Sequence, residues 1–236
     1  MKYHSKFWNQ YFKYYDILLK VIPYQELFAK LVRYLDLNPK MNVLDLGAGT
    51  GNLQHFISSD IDLVSLDNSE EALDRLRCKF PNAKTVKHSI LEKLPFEDNT
   101  FDRILSNNVL YTLPMDKWNQ VIAEMHRICK PNRIVVVSNL NKDFKAINIY
   151  KDHIQKSLRR KGILSTIVEL CRLVYPTLKM LLYNKQINRN NKKGAYSFVK
   201  GNEQKAVFEK FNLKSLIETQ KVYSNQAHLD VFVNMK

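Results

Sequence analysis

The chain has 236 residues, of which 45% are hydrophobic, and it carries a formal net charge of +14. This length allows one sizeable core with an inserted subdomain and leaves little room for two independent domains. The three cysteines, Cys78, Cys129 and Cys171, are far apart, which argues against a disulfide framework and against a Cys-x-x-Cys metal or redox site.

Two helices are predicted before the first strand. Residues 8–16 are dense in aromatic side chains, and apolar residues continue beyond them at helical spacing. Pro23 opens a second helix with one apolar stripe, and Asn38 and Pro39 close it. Both helices belong to a predicted N-terminal segment, residues 1–38.

A glycine-rich turn follows the first predicted strand. Gly47, Gly49 and Gly51 stand in the spacing G-x-G-x-G directly after the predicted strand Val43-Leu44-Asp45-Leu46. Glycine lets the main chain take backbone angles that other residues resist and approach a ligand closely. Dinucleotide-binding folds favour G-x-G-x-x-G, whose third glycine position holds Asn52 here, and the G-K-S or G-K-T of a phosphate-binding loop is absent. The turn predicts a nucleotide-cofactor site.

Strands and helices alternate after this turn. The predicted elements are a helix at 52–59, a strand at 61–66, a helix at 69–79, strands at 84–88 and 101–106, a helix at 116–129 and a strand at 134–138. Parallel strands need long crossovers, so this alternation predicts a doubly wound α/β fold with helices on both faces of a mostly parallel sheet. After a helix at 203–211, segments 213–223 and 226–233 are expected to pair as an antiparallel hairpin.

The run Asp45-x-Gly47-x-Gly49-x-Gly51 resembles the first motif of the class I S-adenosylmethionine-dependent methyltransferases. The chain is similar to their ubiquinone and menaquinone biosynthesis subfamily, the type 11 methyltransferase domain, over roughly residues 8–140 and 200–235. This resemblance implies a Rossmann-like sheet in the order 3-2-1-4-5-7-6 and a single methyltransferase domain over residues 1–236. It implies S-adenosyl-L-methionine as cofactor, S-adenosyl-L-homocysteine as product, and N-terminal helices that cover the cofactor.

The resemblance also implies a set of cofactor-binding residues at the ends of the strands. Asp67 is expected to accept hydrogen bonds from both ribose hydroxyls, and Asp45 to lie near the methionyl amino group. Ser89 stands where the subfamily usually has an aspartate that holds the adenine amino group, so this contact is expected to be weaker or to come from the main chain. The full predicted set is Asp45, Gly47, Ala48, Gly49, Gly51, Asp67, Asn68, Ser89, Ile90, Ser106 and Asn107.

Methyl transfer from a sulfonium depends on alignment, and a general base is needed only where the acceptor must lose a proton. The candidate bases are Tyr15, Tyr111 and His153, and a packing or surface role is the alternative for each. No second histidine or carboxylate stands at ligand spacing from His126, and no metal site is predicted.

Residues 140–200 form a long insert where the resemblance places a substrate lid. Residues 142–200 contain fourteen Lys or Arg against three acidic residues, a net charge of +11. Apolar residues cover most of the surface of a predicted helix at 163–182, so something must cover that helix. The alternatives are burial against the N-terminal helices, an apolar substrate pocket, a homodimer contact, or an anionic membrane surface.

Three functions remain open at this point. The first is methylation of a small lipophilic or aromatic metabolite at O, N or C. The positive charge raises methylation of RNA or protein, but the N-P-P-Y sequence of amino-directed nucleic-acid enzymes is replaced by Ser106-Asn107-Asn108-Val109, and a nucleic-acid partner is not expected. The third is cofactor binding without transfer.

A cytoplasmic location is expected from the sequence. The N-terminus lacks the apolar stretch of a signal peptide, and no uncharged run reaches the roughly 20 residues of a membrane span. Peripheral contact with a membrane through the basic insert stays open.

Overall fold

A mixed sheet of eight strands lies at the centre of the described part of the chain. The computed structural model describes residues 2–236, with side chains from residue 7 onward, so Met1 of the predicted segment 1–38 lies outside the described residues. The strands are β1 (Asn42–Leu46), β2 (Asp62–Asp67), β3 (Lys84–Lys87), β4 (Phe101–Asn107), β5 (Cys129–Leu140), β6 (Leu213–Ser215), β7 (Gln220–Val222) and β8 (Ala227–Asn234). The helices are α1 (Lys2–Tyr15), α2 (Ile22–Leu35), α3 (Glu70–Lys79), α4 (Met115–Ile128), α5 (Ala146–Lys192) and α6 (Gly201–Glu209).

The strand order confirms the predicted Rossmann-like topology. The strands lie in the order β3-β2-β1-β4-β5-β8-β6, and β7 also pairs with β8. The first five are parallel to their neighbours, and β8 runs antiparallel to β5, with Ile134 opposite Val233. The predicted strand at 213–223 is in fact two short strands, which both pair with β8. Counting those two as one gives the predicted order.

Both faces of the sheet are buried, as in other parallel sheets with helices on each side. Successive side chains of a strand point to opposite faces, so neighbours in the sequence enter different cores. Leu105 and Val136 join the core formed with α1, α2 and α5. Ile104 and Val135 join the opposite core, which α4 and α6 cover.

The segment after the glycine turn differs from the predicted helix at 52–59. It is a single 3-10 turn, Asn52–His55. Two contacts hold it against α2: the Asn52 side-chain amide donates a hydrogen bond to the Tyr24 hydroxyl at 3.1 Å, and the Phe56 ring stacks on Phe28 with centroids 4.9 Å apart. These tertiary contacts oppose the local helical pattern.

The insert is dominated by α5, which is broken at Gly162. The backbone there is non-helical, with φ 78° and ψ 176°, so the chain forms two consecutive helices. One face of the second helix packs inward through Leu173, Met180 and Ile187. Burial of the whole apolar surface against the N-terminal helices is therefore wrong, because the opposite face remains exposed. None of the described helices has the length and apolar composition needed to cross a membrane.

Candidate active site

A cavity of about 430 Å³ lies beyond the carboxyl ends of β1, β2 and β4. In open α/β sheets this edge is where ligands bind, because the crossovers diverge there to opposite faces. The glycine turn after β1 forms one wall of the cavity, and α1, α2 and the start of α5 form the facing wall.

The glycine turn is held in place by its own main-chain N–H groups. Gly47, Gly49 and Gly51 all have positive φ, at 82°, 54° and 79°, a region that favours glycine over other residues. A Cβ atom added to Gly49 would lie 3.0 Å from Cε1 of Phe12, so glycine also keeps space between the turn and α1. The Gly47 and Ala48 N–H groups donate to the Leu66 carbonyl at 2.8 and 2.9 Å, which fixes the turn to the end of β2.

Asp67 lies at the end of β2 and faces the turn. One carboxylate oxygen accepts a hydrogen bond from the Gly49 N–H, and the other accepts one from the Ser69 N–H, both at 2.8 Å. Burial raises the pKa of Asp67, although these main-chain hydrogen bonds oppose the shift. Each oxygen can accept a further hydrogen bond, because a carboxylate has about four acceptor sites.

Asp45 is the penultimate residue of the neighbouring strand β1 and is 5% exposed. Burial raises its pKa to about 7, and the negative charge of Asp67 adds to the shift. Two carboxyl groups in one poorly solvated cavity favour a ligand that carries positive charge or hydrogen-bond donors.

Amide groups at the end of β4 add acceptors that lack partners. The Oδ1 atoms of Asn107 and Asn108 are buried and have no hydrogen-bond partner among the described residues, and both residues line the cavity. A buried amide oxygen normally has a partner, so this pair indicates a site for a donor from a ligand.

The structure brings most of the predicted cofactor set to the cavity wall. The predicted residues that line it are Asp45, Gly47, Ala48, Gly49, Asp67, Asn68, Ser89, Ile90 and Asn107. Gly51 and Ser106 do not line it: Gly51 faces Leu76 of α3, and Ser106 is fully buried within the sheet. The Ser89 hydroxyl accepts a hydrogen bond from the Leu91 N–H at 3.3 Å, a local turn contact.

The three candidate bases have different surroundings. Tyr15 and Tyr111 line the cavity, whereas His153 does not. His153 is 1% exposed, and its Nδ1 accepts a hydrogen bond from the Ile22 N–H at 3.3 Å, so it joins α5 to α2. Burial lowers its pKa and so disfavours the charged form, and the histidine has a packing position away from the cavity.

Both tyrosines are protonated at neutral pH. Burial raises the pKa of Tyr15 to about 12, and burial also raises that of Tyr111 well above its ordinary value. The Tyr15 hydroxyl accepts a hydrogen bond from the Tyr24 hydroxyl at 3.1 Å. These groups are suited to donate hydrogen bonds and poorly suited to remove a proton.

An aromatic wall completes the cavity, and sequence reasoning missed most of it. Its members come from α1, α2, the start of α5 and the turn before β8, and they include Trp8, Tyr11, Phe12, Tyr24, Phe28, Tyr150 and Tyr223. The aromatic density of residues 8–16 was visible in the sequence as a helix feature. Nothing local marked Tyr150 or Tyr223, because only the fold brings them to α2, where the Tyr24 and Tyr223 rings lie 5.7 Å apart.

Comparison with known proteins agrees with this geometry. Residues 43–132, from β1 to the turn within β5, match the family described as a methyltransferase domain. These residues are similar to a methyltransferase domain, and the strand order of the whole sheet is that of the class I fold. The family resemblance and the class I fold predicted from the sequence are thereby confirmed, and S-adenosyl-L-methionine is the cofactor of this domain class.

Curated relatives match about half of the chain. A demethylmenaquinone methyltransferase of Bacillus mycoides is 31% identical over 133 residues, which cover 52% of this chain and 55% of the relative. An uncharacterized methyltransferase of Synechocystis sp. is 30% identical over 120 residues, covering 50% of this chain and 56% of the relative. The chain thus spans little more than half the length of these curated relatives.

A solved structure extends the likeness of fold over nearly the whole chain. The SAM-dependent methyltransferase of Thermotoga maritima described as a possible histamine N-methyltransferase has a TM-score of 0.61. The match covers 98% of this chain and 99% of that one at 13% identity. At this identity the likeness concerns the fold of the methyltransferase domain and its flanking helices.

Proposed function

We propose that this protein transfers the methyl group of S-adenosyl-L-methionine to a small lipophilic or aromatic acceptor. The observation that carries the proposal is that one cavity has a polar wall, built by the glycine turn, Asp45 and Asp67, and an aromatic wall that faces it. Such a cavity can hold a charged nucleoside cofactor and an apolar acceptor side by side.

The residues of the polar wall fit the cofactor. Asp67 has free acceptor capacity for ribose hydroxyls beside the Gly49 N–H that it already binds. Asp45 and the unpartnered Asn107 oxygen can accept hydrogen bonds from a methionyl ammonium group. Glycine at position 49 lets Phe12 of α1 pack closely over the turn, since a Cβ there would lie 3.0 Å from Cε1 of Phe12.

The cofactor supplies an activated methyl group, and the chain supplies alignment and a dry surrounding. Holding an acceptor in line with the methyl carbon can lower the barrier by roughly 7–11 kcal/mol. The aromatic wall gives the acceptor an apolar surface, and neutral Tyr15 and Tyr111 hydroxyls can orient a polar atom of the acceptor by donating hydrogen bonds.

The aromatic wall favours a neutral or weakly polar acceptor. Among the lining residues that the structure describes, Lys117 is the single Lys or Arg, and it lies beside Pro114 at the start of α4. Phosphate-rich acceptors such as RNA would require more positive charge at the cavity itself. The relatives named as demethylmenaquinone methyltransferases support a lipophilic, quinone-like acceptor.

Transfer of a labelled methyl group tests the proposal. The purified protein is incubated with methyl-tritiated cofactor and, separately, with a quinone-containing lipid extract, a polar metabolite extract and total RNA. We expect label in the lipid extract, and a loss of this label in Asp67→Asn, which keeps the shape of the side chain and removes its charge.

The control variant is Asp62→Asn, which lies on the same strand and forms a surface ion pair with Lys84. It should transfer label like the unchanged protein. Label that enters only RNA would contradict the small-molecule acceptor, and cofactor binding without label in any fraction would contradict transferase activity.

A further inference from the structure

The second half of α5 has two faces with different surroundings. Its inner face is buried and repeats every seven residues, at Thr166, Leu173, Met180 and Ile187. Of these residues Met180 lines the cavity, as does Asn184 one turn further on. The inner face thus forms part of the proposed acceptor site.

The outer face is apolar and exposed. We define the outer stripe as the exposed residues that recur at spacings of three and four on this face: Leu164, Ile167, Val168, Cys171, Tyr175, Leu178 and Leu182. Apart from Cys171 these side chains are between 51% and 81% exposed, with Leu164 the most exposed. At 1.5 Å per residue the stripe is about 27 Å long. A continuous apolar surface of this length on a water-facing helix indicates an interaction site.

Positive charge surrounds the outer stripe. Residues 159–193 contain nine Lys or Arg and one acidic residue, Glu169. Glu169 already pairs with Lys161 at 2.9 Å and accepts a hydrogen bond from the Ser157 hydroxyl at 2.6 Å. Arg172 and Lys179 each follow a stripe residue by four positions and so lie at its edge.

The two ends of the stripe are also basic. Arg159, Arg160 and Lys161 precede the break at Gly162, and Lys185 and Arg189 continue the helix beyond Leu182. Arg160 pairs with Glu26 of α2 at 2.7 Å, which fixes this end against the body of the protein. Arg172, Lys185 and Arg189 are exposed and available to an external anion, whereas Lys179 is half-buried with its Nζ 5.6 Å from the Tyr175 ring centroid.

We propose that the outer stripe docks on an anionic lipid bilayer, with the helix lying in the plane of the membrane surface. Apolar side chains on one face and basic residues along its edge are the features of helices that bind at such an interface. A second copy of the chain is disfavoured as the occupant, because it would bring an equally positive surface against this one.

Docking places the two faces of one helix between the bilayer and the cavity. A lipophilic acceptor leaving the membrane would meet α5 first, and Met180 and Asn184 of that helix line the cavity. This route for the acceptor rests on the proposed function, whereas the docking itself does not.

Vesicle sedimentation without cofactor or acceptor tests the docking. The full chain is mixed with vesicles of phosphatidylcholine alone or with about 30 mol% phosphatidylglycerol. We expect at least about tenfold tighter binding to the anionic vesicles, and weakening by salt. The triple variant Leu164→Gln, Leu178→Gln and Leu182→Gln should reduce this binding at least about tenfold.

The matched control is Leu216→Gln. Leu216 is 50% exposed and lies between β6 and β7, away from α5, so this variant should sediment like the unchanged protein. Far-ultraviolet circular dichroism and cofactor affinity should be the same in all variants, which separates docking from folding.

Any of three results would overturn the docking. The triple variant could bind anionic vesicles as tightly as the unchanged protein, the unchanged protein could bind neutral and anionic vesicles equally, or it could sediment with neither kind of vesicle. A concentration-dependent dimer that the triple variant abolishes would assign the stripe to a second copy instead. Vesicle binding together with no methyl transfer to any extract would contradict the proposed function and leave the docking supported.

Discussion

Asp45 and Asp67 lie near the carboxyl ends of the neighbouring strands β1 and β2, and both line the same cavity. Burial and the charge of Asp67 disfavour the ionised form of Asp45 and raise its pKa to about 7. Asp45 therefore keeps its proton as the pH rises toward about 7 when no cation is bound. A native pKa above the unfolded value means that the stability from this proton is lost as the pH rises through about 7. An ammonium group placed beside Asp45 would favour the ionised form again.

Cofactor affinity should therefore depend on pH. Between about pH 5.5 and pH 7, binding that requires ionised Asp45 must release a proton, so affinity should rise with pH by at most about tenfold per unit. Above a pH of about 7 the rise should level off. Calorimetry in buffers of different ionisation heat would measure both the affinity and the proton released.

The variant Asp45→Asn should bind the cofactor more weakly and lose most of this pH dependence. If Asp45→Asn kept the slope of the unchanged protein, the assignment of the proton to Asp45 would be wrong.

The variant Tyr15→Phe distinguishes orientation from proton removal. A neutral tyrosine contributes one hydrogen bond, worth about 0.5–1.5 kcal/mol, so kcat should fall by no more than roughly tenfold. Loss of a general base would cost about a hundredfold or more. Tyr111→Phe should behave in the same way, because burial keeps its hydroxyl protonated too. A hundredfold loss in either variant would show that a tyrosine acts as the base.

At the scale of elements, the glycine turn couples β1 to β2 and to α1. Its N–H groups bind the Leu66 carbonyl and the Asp67 carboxylate, while Gly49 touches Phe12. A small change in the turn therefore moves the carboxylate and the helix that covers it.

The variant Gly49→Ala tests this coupling. A positive φ costs a residue with a Cβ about 1–2 kcal/mol, and the added carbon also meets Phe12. We expect cofactor affinity to fall at least about tenfold, together with a loss of thermal stability. Gly194→Ala is the matched control, since Gly194 also has positive φ but a Cβ there meets nothing within 4 Å.

Gly194→Ala should lower the stability by a similar backbone cost and leave cofactor affinity unchanged. Equal affinity in Gly49→Ala and the unchanged protein would contradict a role for the turn at the cofactor.

Elements with a local cause were predictable from the sequence. The alternation of strands and helices predicted the parallel sheet. The predicted start of a helix at residue 69 agrees with α3, because the Ser69 hydroxyl accepts a hydrogen bond from the Ala72 N–H there. The helix at 52–59 was wrong because contacts of Asn52 and Phe56 with α2 override the local pattern. The break at Gly162 was not predicted, because a single glycine in an apolar segment does not by itself indicate that the backbone leaves the helical conformation there.

At the scale of the whole molecule, the cavity is assembled from segments far apart in the chain. Asp45 belongs to the glycine-rich run and Asp67 follows the next predicted strand, so the sequence could place both at the same edge of the sheet. The aromatic wall joins Tyr11, Tyr150 and Tyr223, which meet only when α1, α5 and the turn before β8 pack on one face of the sheet. Such a wall leaves no spacing in the sequence. The exposure of the outer stripe likewise depends on which face of α5 turns inward.

Isothermal titration calorimetry of the cofactor into the full chain measures the binding on which methyl transfer by this protein depends. We predict binding of one S-adenosyl-L-methionine per chain with a Kd well below about 1 mM, and weakening by at least about tenfold in Asp67→Asn. The surface variant Asp62→Asn should bind like the unchanged protein. The account would be contradicted if folded protein showed no heat at about millimolar cofactor, or if Asp67→Asn bound with undiminished affinity.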